Sequence, residues 1–421
     1  MAAAETLAPR PSPPPNLGNP RFELLDSLRG IAALSVFVAH LALYFARVAD
    51  GQTLEPILAR ADIGVALFLL LSSFLLYRPY AQARLTGSRP PAVVPFAVRR
   101  ALRVVPTYWV SLPLIALLLG LSDVFTPEGI VTYFGFLQIY QGDTIDGGIG
   151  QAWTICVEIT FYAMLPLWAW LARRVSFTSL RGFVLTELAA LGTIALMSLL
   201  WKIKFAEVVP VAGQADLDPV MWTLPPYLDS FAVGMALAVL SVAAASRERQ
   251  PRAVRLIDRA PWVPWVGAAV LLWLSGVGGG RFAFDSQAAF IFHQEMNTLV
   301  AVGVFLPAIF GDQTRGWVRR LLAHRALAWL GLVSYGLYLW HLAVMQKLAD
   351  AGLLEGTFGP LAFAVAALAL SIAAGAAAYY GVGRYALRLG RRLPRDGGFR
   401  RRAEHPPAPV GTARPGEAGA Q

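Results

Sequence analysis

Long stretches without charged side chains recur along the whole chain. Seventeen uncharged residues separate Arg29 from Arg47, and nineteen separate Arg103 from Asp123. About 20 apolar residues in a helix cross the ~30 Å hydrocarbon core of a bilayer, so stretches of this length predict transmembrane helices. Hydrophobic residues make up 56% of the sequence and charged residues only 15%, which favours an integral membrane protein over a soluble one.

Ten such stretches are present, some of them interrupted or ended by one or two ionisable residues. They predict an all-α polytopic membrane protein with about ten transmembrane helices, because a helix satisfies its own backbone hydrogen bonds in lipid. The stretches cover residues 30–46, 63–77, 104–122, 147–171, 182–201, 219–246, 260–280, 286–311, 326–346 and 356–383. An eleventh apolar run, residues 129–142, has only fourteen residues, so we expect a short re-entrant or interfacial segment there.

The distribution of basic residues predicts the orientation of these helices. With ten crossings, the loops on one side of the membrane hold seventeen arginines, in residues 84–103, 173–181, 247–259 and 315–325. The opposite side holds only Arg47, Arg60, Lys202, Lys204, Arg281 and Lys347. By the positive-inside rule the arginine-rich side is cytoplasmic, and both termini lie there too. The net charge of +10 is therefore interpreted as an orientation signal, and it implies no nucleic-acid partner.

The two ends of the chain differ in composition from its middle. Six of the first twenty residues are prolines, so residues 1–21 are predicted to be a disordered cytoplasmic tail and not a cleavable signal peptide. Residues 22–390 form the predicted membrane domain. Residues 391–421 are basic and then rich in Pro, Gly and Ala, which is typical of a second disordered tail. A single cysteine, Cys156, excludes an intrachain disulfide, and no spacing of ligands indicates a metal site.

Several ionisable or polar side chains fall within the predicted helices. At 1.5 Å per residue, His40, Glu158 and His341 lie about 18, 20 and 22 Å from the cytoplasmic boundary, and Ser72 and Ser73 lie at about 15 Å. Four helices therefore offer polar groups to one layer of the membrane. A neutral histidine at this depth is often only a hydrogen-bond partner between helices. A carboxylate such as that of Glu158 instead requires a cation, a proton or a hydrogen-bond network.

Arg29 and His40 lie eleven residues apart, which is close to three helical turns, so both project from one helix face about 16 Å apart. A substrate with a phosphorylated head at Arg29 could reach His40 with a long thin arm, and coenzyme A thioesters have this shape. Arg99, Arg100 and Arg103 offer further guanidinium groups suited to phosphate. The alternative for all four arginines is that they only anchor the helix ends on the cytoplasmic side.

Other polar residues of the helices receive no assigned role. Asp229 lies near the predicted outer end of its helix, where water can solvate it. His293 and Glu295 share one span.

Five stretches, in chain order, carry a resemblance to a known family. They are LDSLRGIAALSVFVAH (25–40), LFLLLSSFLLYRPY (67–80), RRALRVVPTYW (99–109), AWTICVEITFYAMLP (152–166) and SYGLYLWHLAV (334–344). Together they resemble the acyltransferase-3 family of membrane-bound acyltransferases, which modify glycans, lipids or small molecules. Arg29 and His40 stand where this family has its basic residue and its essential histidine. We expect no appended hydrolase-like domain such as some relatives carry.

The resemblance implies O-acylation, such as O-acetylation. An acetyl or other short acyl group would pass from cytoplasmic acyl-CoA to a hydroxyl of a cell-envelope glycan, lipid or secondary metabolite. Acyl-CoA would be a substrate, and no bound cofactor is expected. Arg29, Arg99, Arg100 and Arg103 would bind the donor.

His40 would act either as general base or as a covalent acyl carrier, and the sequence does not choose between them. Glu158 would orient His40 if their helices pack together. Ser72, Ser73, Tyr338 and His341 would support the site.

Two other classes of protein remain open from the residues alone. Histidine and glutamate at mid-membrane depth also serve as proton relays, so a proton-coupled transporter or flippase is the main alternative. A structural scaffold is the third, but it leaves the buried ionisable residues unexplained.

Overall fold

The computed structural model of the protein describes residues 22–46, 60–205, 207, 218–277, 287–355 and 359–392. All regular structure in these ranges is helical. Both predicted tails lie outside them, except for Arg391 and Arg392. The helices of six or more residues are α1 (Leu24–Ala46), α2 (Ile63–Thr86), α3 (Val93–Leu119), α4 (Trp153–Ala172), α5 (Leu180–Lys204), α6 (Leu228–Ala245), α7 (Arg252–Arg259), α8 (Val263–Val277), α9 (Gln287–Ile309), α10 (Trp317–Leu322), α11 (Arg325–Asp350), α12 (Gly359–Ala378) and α13 (Arg384–Arg391).

Nine of the described helices are long and apolar enough to span a membrane, namely α1 to α6, α9, α11 and α12, the last continuing through a π-helical turn into α13. The one remaining predicted span, residues 260–280, forms the shorter apolar helix α8, and residues 278–286 after this helix lie outside the described ranges. The prediction of an all-α polytopic membrane protein is therefore confirmed. Helix α6 has the largest share of buried residues among the nine, whereas α5 and α12 have the smallest, as helices that face lipid do.

The apolar run at residues 129–142 does not form a long helix. It folds into short turns, Ile130–Phe134 and Gln138–Tyr140 among them, that lie against α3. Tyr108 of α3 donates to the carbonyl of Tyr133 at 3.1 Å. Burial and the neighbouring Asp123 raise the pKa of Tyr133 to about 12, so its hydroxyl keeps its proton and donates to Asp123 at 3.1 Å. The segment is held as a folded loop beside the bundle.

Helices α1 and α11 pack in parallel and in register. Gly30 of α1 approaches the backbone of Gly331 so closely that a Cβ atom on Gly30 would lie 3.0 Å from the Gly331 nitrogen. His40 and His341 are separated by the same 301 positions, and their side chains are in contact further along the same two helices. Small residues allow two helix backbones to approach in this way. A constant offset means that the two helices run in the same direction, so both begin on the same side of the membrane.

This parallel packing constrains the number of crossings. Among the described helices, seven of the nine long ones, α1 included, precede α11. An odd number of crossings before α11 would make α1 and α11 antiparallel, so one more crossing is needed. Helix α8 supplies it, because α8 packs against α9 as an antiparallel neighbour, with the indole of Trp265 donating to the carbonyl of Val304 at 3.0 Å. The arrangement thus requires α8 to cross the membrane and the folded loop at residues 129–142 not to cross.

Candidate active site

Two histidines meet where α1 packs against α11. His341 is fully buried, and its Nε2 atom lies 3.2 Å from Nδ1 of His40. The other ring nitrogen of His341, Nδ1, lies 2.7 Å from the carbonyl oxygen of Tyr338 and must donate to it. Nε2 of a neutral His341 is therefore an acceptor, and the proton between the two rings belongs to Nδ1 of His40. The carbonyl of Val36, 2.9 Å from the same Nδ1 atom, shares this proton.

This assignment leaves Nε2 of His40 without a proton. Nε2 has no hydrogen-bond partner among the described residues, and the half-buried ring lines an internal chamber. A deprotonated imidazole nitrogen that faces a cavity can accept a proton or attack an electrophile. The contacts of Nδ1 with His341 and Val36 fix the orientation of the His40 ring. The tautomer of His40 therefore follows from the packing of α1 on α11.

The start of α4 anchors the other side of α11. The side-chain amide of Gln151 donates at 2.8 Å to the carbonyl oxygens of Tyr338 and Leu339. The phenol of Tyr338 donates to the carbonyl of Gln151 at 2.6 Å and lies 2.6 Å from the hydroxyl of Thr154. The carbonyl that accepts the proton of His341 is thus itself fixed by a reciprocal pair of bonds, which keeps the histidine pair in one geometry.

A cleft lies on the side of Tyr338 nearer to the start of α1, with about 850 Å³ of empty space that includes open solvent at its mouth. We name it the arginine cleft. Its ionisable and hydroxyl-bearing lining residues are Arg29, Ser72, Arg100, Arg103, Thr154, Glu158, Tyr162, Ser334, Tyr335 and Tyr338. Six of the ten residues that the sequence predicts for the site therefore line one cleft.

Positive charge exceeds negative charge in the arginine cleft. Arg29, with 17% of its side chain exposed, is paired with Asp26 at 2.6 Å. Arg100 and Arg103 form no hydrogen bond or ion pair with any residue that the structure describes, and Nε of Arg100 is a buried donor without a partner. Guanidinium groups without a hydrogen-bond partner in a recess bind phosphate and carboxylate groups well. Glu158 is the one carboxylate among the lining residues, and its charge attracts both Arg100 and Arg103.

Glu158 is held by a short chain of hydroxyl groups. The phenol of Tyr162 donates to Glu158 at 2.9 Å, and Ser72 lies 3.1 Å from the same phenol oxygen. Glu158 and Tyr162 are one helical turn apart on α4, whereas Ser72 comes from α2. The carboxylate therefore faces the arginine cleft, and the hydrogen-bond partner of His40 is His341, not Glu158.

Two further predicted site residues point elsewhere. Ser73 is fully buried, bonds back to the carbonyl oxygens of Leu69 and Leu70, and fills the crossing of α2 with α6 beside Gly234. Arg99 is absent from the described lining of the arginine cleft and packs near Gly390 of α13. Adjacent residues on a helix point about 100° apart, so Ser72 and Arg100 face the cleft while their neighbours do not.

The histidine chamber, which we define by His40, is larger and lies on the far side of Tyr338 from the arginine cleft. Its empty volume is about 1460 Å³, which includes open solvent at its mouth. Its polar and aromatic lining residues are His40, Asp62, Gln151, Trp153, Trp222, Tyr227, Ser230, Phe290, His293, Gln294, Asn297, Thr298 and Tyr338. Val65, Leu69 and Tyr338 line both cavities, so the two cavities adjoin each other across these three side chains.

The polar residues left without a role by the sequence divide into two groups. His293 lines the histidine chamber. Asp229 and Glu295 instead ion-pair with the fully buried Lys202, at 2.5 Å for Glu295, and tie α5, α6 and α9 together. Breaking one partner of such a buried cluster leaves an uncompensated charge, so these residues hold the bundle together.

Sequence reasoning missed Gln151, Thr154, Tyr162, Asp62 and Asn297. Only Tyr162 had a usable signal, because its spacing of four from Glu158 places both on one helix face. Gln151 and Thr154 act on Tyr338, more than 180 residues away along the chain, so their role depends on tertiary packing alone.

The fold and these cavities define a polytopic membrane protein with a histidine pair inside its helix bundle. Residues 22–380 match the family model described as an acyltransferase domain, Acyl_transf_3. The chain belongs to the acyltransferase-3 family, as its motifs predict, and it is an acyltransferase. Its multi-pass membrane character follows from the same match and the nine candidate spans.

Two curated relatives are similar over most of their length. Nodulation protein 10 of Rhizobium leguminosarum bv. viciae is 25% identical over 350 residues, which cover 78% of this chain and 84% of the relative. The acyltransferase MdmB of Streptomyces mycarofaciens is 25% identical over 394 residues, which cover 89% and 94%. No solved structure matches the chain.

Proposed function

We propose that this acyltransferase moves an acetyl or other short acyl group from cytoplasmic acyl-CoA to a hydroxyl of a cell-envelope glycan, lipid or secondary metabolite. The observation that carries the proposal is the position of His40. Its ring, with Nε2 unprotonated, lines a chamber that adjoins the arginine cleft across Val65, Leu69 and Tyr338. Donor and acceptor would occupy the two cavities and react where they meet.

The arginine cleft suits the donor. The phosphates of coenzyme A would pair with Arg100 and Arg103, whose guanidinium groups have no partner among the described residues, and with Arg29. The thin pantetheine arm would then pass Tyr338 toward His40, a helical distance of about 16 Å from Arg29. The positive-inside prediction puts the arginine cleft on the cytoplasmic side, where acyl-CoA is made, and both termini with it.

The chemistry follows from the tautomer. Nε2 of His40 takes the proton of the acceptor hydroxyl while the oxygen attacks the thioester carbonyl. The Nδ1 proton of the resulting imidazolium still donates to Nε2 of His341, which stabilises the positive charge. When the tetrahedral intermediate collapses, the carbon–sulfur bond breaks, and the proton on Nε2 passes to the departing thiolate. An ester and free coenzyme A are the products, and His40 returns to its starting state.

Nε2 is also the nucleophile of a covalent route, in which His40 carries the acyl group between the cavities. The two routes differ in one intermediate. Purified protein is mixed with radiolabelled acetyl-CoA without acceptor and quenched within one turnover. Label on wild-type protein that disappears in His40→Ala indicates the covalent route. Unlabelled protein together with acceptor-dependent thiol release indicates the general-base route.

Thiol release from acetyl-CoA by protein in nanodiscs tests the proposal as a whole. We expect acceptor-dependent release in the wild type and its loss in His40→Ala. His324→Ala is the matched control, because His324 is exposed at the start of α11, outside both cavities. Full turnover by His40→Ala would overturn the proposal.

A further inference from the structure

Asp62 lies where a short 3₁₀ turn, Arg60–Asp62, leads directly into α2. Its backbone is helical, and its side chain makes no hydrogen bond to the first turn of α2. Its carboxylate instead turns toward α9 and lines the histidine chamber, with 31% of the side chain exposed.

Two residues of α9 hold this carboxylate. Nε2 of His293 lies 2.6 Å from Asp62 Oδ2, and the amide of Asn297 donates to Oδ1 at 3.1 Å. Arg60 donates to Nδ1 of His293 at 3.0 Å, so Nδ1 is an acceptor and the ring proton sits on Nε2, where it points at Asp62. Each oxygen of the Asp62 carboxylate thus has one donor. About half of the four lone-pair sites of the carboxylate remain for a ligand.

The carboxylate is placed next to the reacting histidine. The hydroxyl of Ser35 on α1 donates at 2.5 Å to the carbonyl of Ala61, the residue before Asp62. One residue after Ser35, the carbonyl of Val36 accepts the Nδ1 proton of His40. The same short stretch of α1 therefore positions both Asp62 and His40, and both face the histidine chamber.

Two residues that line the histidine chamber each carry a buried polar atom without a hydrogen-bond partner among the described residues. These atoms are Oε1 of Gln294 and Nε1 of Trp222. Trp222 packs edge-on against Trp153 with ring centroids 4.8 Å apart, and Tyr227 lies 5.3 Å from Trp153. Leaving such atoms unpaired costs about 1–3 kcal/mol each.

We infer that Asp62 binds a second hydroxyl of the acceptor, on the carbon next to the hydroxyl that His40 deprotonates. The acceptor is then a ring with neighbouring hydroxyls, as in a sugar, whose apolar face lies on Trp153. His293 and Asn297 are positioning residues that aim the carboxylate. An acceptor with a single hydroxyl cannot make this second contact with Asp62. The inference rests on the proposed function and specifies the acceptor of the same site.

The experiment uses the full chain in nanodiscs with acetyl-CoA and defined probes. The acceptors are octyl β-D-glucopyranoside, its monodeoxy analogues and the octyl glycosides of galactose, mannose and N-acetylglucosamine, each below its micelle concentration, with 1-octanol as the single-hydroxyl comparison. We expect kcat/KM for at least one glycoside to exceed that for 1-octanol by about 10² or more, because a site built to bind a hydroxyl rejects an analogue that lacks it.

Three variants separate binding from folding. Asp62→Asn keeps the size of the side chain, and we expect it to raise KM for the glycoside about tenfold or more. We expect its kcat to stay within about threefold of the wild type, and its KM for acetyl-CoA within about twofold. Trp222→Phe removes the indole N–H together with part of the ring, and it should raise the same KM by about threefold to tenfold. His293→Gln should change which glycoside hydroxyl is acylated, a readout that a merely structural role would not move.

Two different failures are distinguishable. If wild-type protein binds coenzyme A by calorimetry but acylates no glycoside faster than 1-octanol, or if Asp62→Asn keeps the wild-type KM for the glycoside, the inference is wrong and the proposed function stands. If coenzyme A does not bind, or His40→Ala keeps its turnover, the proposed function itself is wrong.

Discussion

Nε2 of His341 lies 3.2 Å from Nδ1 of His40. The two histidines lie on parallel helices that are in contact, although one is near the beginning and the other near the end of the membrane domain in sequence. Because Nδ1 of His341 donates to a carbonyl of its own helix, the contact fixes the tautomer of His40 and leaves its Nε2 atom free to react. In the proposed mechanism, the second imidazole has the role that a carboxylate has behind the histidine of a catalytic triad, which is to orient the ring and stabilise its charged form.

Removing the imidazole of His40 should abolish most acyl transfer. General-base catalysis contributes about 10² to 10⁴ in rate, so we expect kcat of His40→Ala to fall by at least that range. Steady-state thiol release measures the change. KM for acetyl-CoA should stay within about threefold, because the phosphates bind at the arginines, and a large rise in KM with unchanged kcat would contradict this assignment.

His341 should act only through His40. A hydrogen bond to a charged group is worth about 1.5–3 kcal/mol, so His341→Ala should lower kcat by about 10- to 100-fold. In a double-mutant cycle, adding His341→Ala to His40→Ala should change little more, because the interaction is already lost. Additive losses in the double variant would show that His341 has an independent role.

Arg100 and Arg103 should contribute to donor binding through its phosphates. We expect Arg100→Ala and Arg103→Ala each to raise KM for acetyl-CoA about tenfold or more, since charge-assisted bonds are lost. With S-acetyl-N-acetylcysteamine, a donor without phosphates, the same variants should behave like the wild type. Arg99→Ala should change KM by at most about threefold, because Arg99 lies outside the described lining of the cleft. An equal effect at all three positions would favour a general attraction of the basic loop for anions.

The folded loop at residues 129–142 should not cross the membrane. Cys156 is the single cysteine, so a Cys156→Ser background allows one new cysteine at a time. Glu128→Cys and Asp143→Cys, both exposed, should react with a membrane-impermeant maleimide from the same side. Ser88→Cys should react from the opposite side, which the positive-inside rule makes cytoplasmic. Labelling of positions 128 and 143 from different sides would contradict the parallel packing of α1 and α11.

Gly331 should be required for the close approach of α1 and α11. A Cβ atom at this position would collide with the backbone carbonyl of Asp26, which cannot move away as a flexible side chain can. We expect Gly331→Ala to destabilise the fold by about 1–3 kcal/mol, measured as a lower thermal midpoint, and to lower kcat by separating the histidines. Gly192→Ala, in open space on α5, is the matched control and should be neutral or slightly stabilising.

Much of the fold was predictable, because the need to satisfy the backbone in lipid acts on each segment separately. The uncharged stretch after Arg29 became α1, and the weaker run at residues 129–142 became a folded loop, as its length predicts. The family motifs also indicated most of the residues that line the arginine cleft. Within one helix, spacing alone places Arg29 and His40 on a common face, since helical geometry is local.

The partner of each buried side chain depended on tertiary structure. Depth along the membrane placed both Glu158 and His341 near His40, and Glu158 was the preferred prediction, because a one-dimensional estimate contains no information about which helices are neighbours. The close approach of Gly30 and Gly331 brings α11, not α4, against α1, and it thereby selects His341. The sequence by itself determined which helices form and which polar groups lie at mid-membrane depth. Only helix packing decided that His40 pairs with a histidine, that Glu158 faces the arginine cleft and that Asp62 faces the histidine chamber, because side-chain contacts between distant segments arise from the three-dimensional arrangement of the helices.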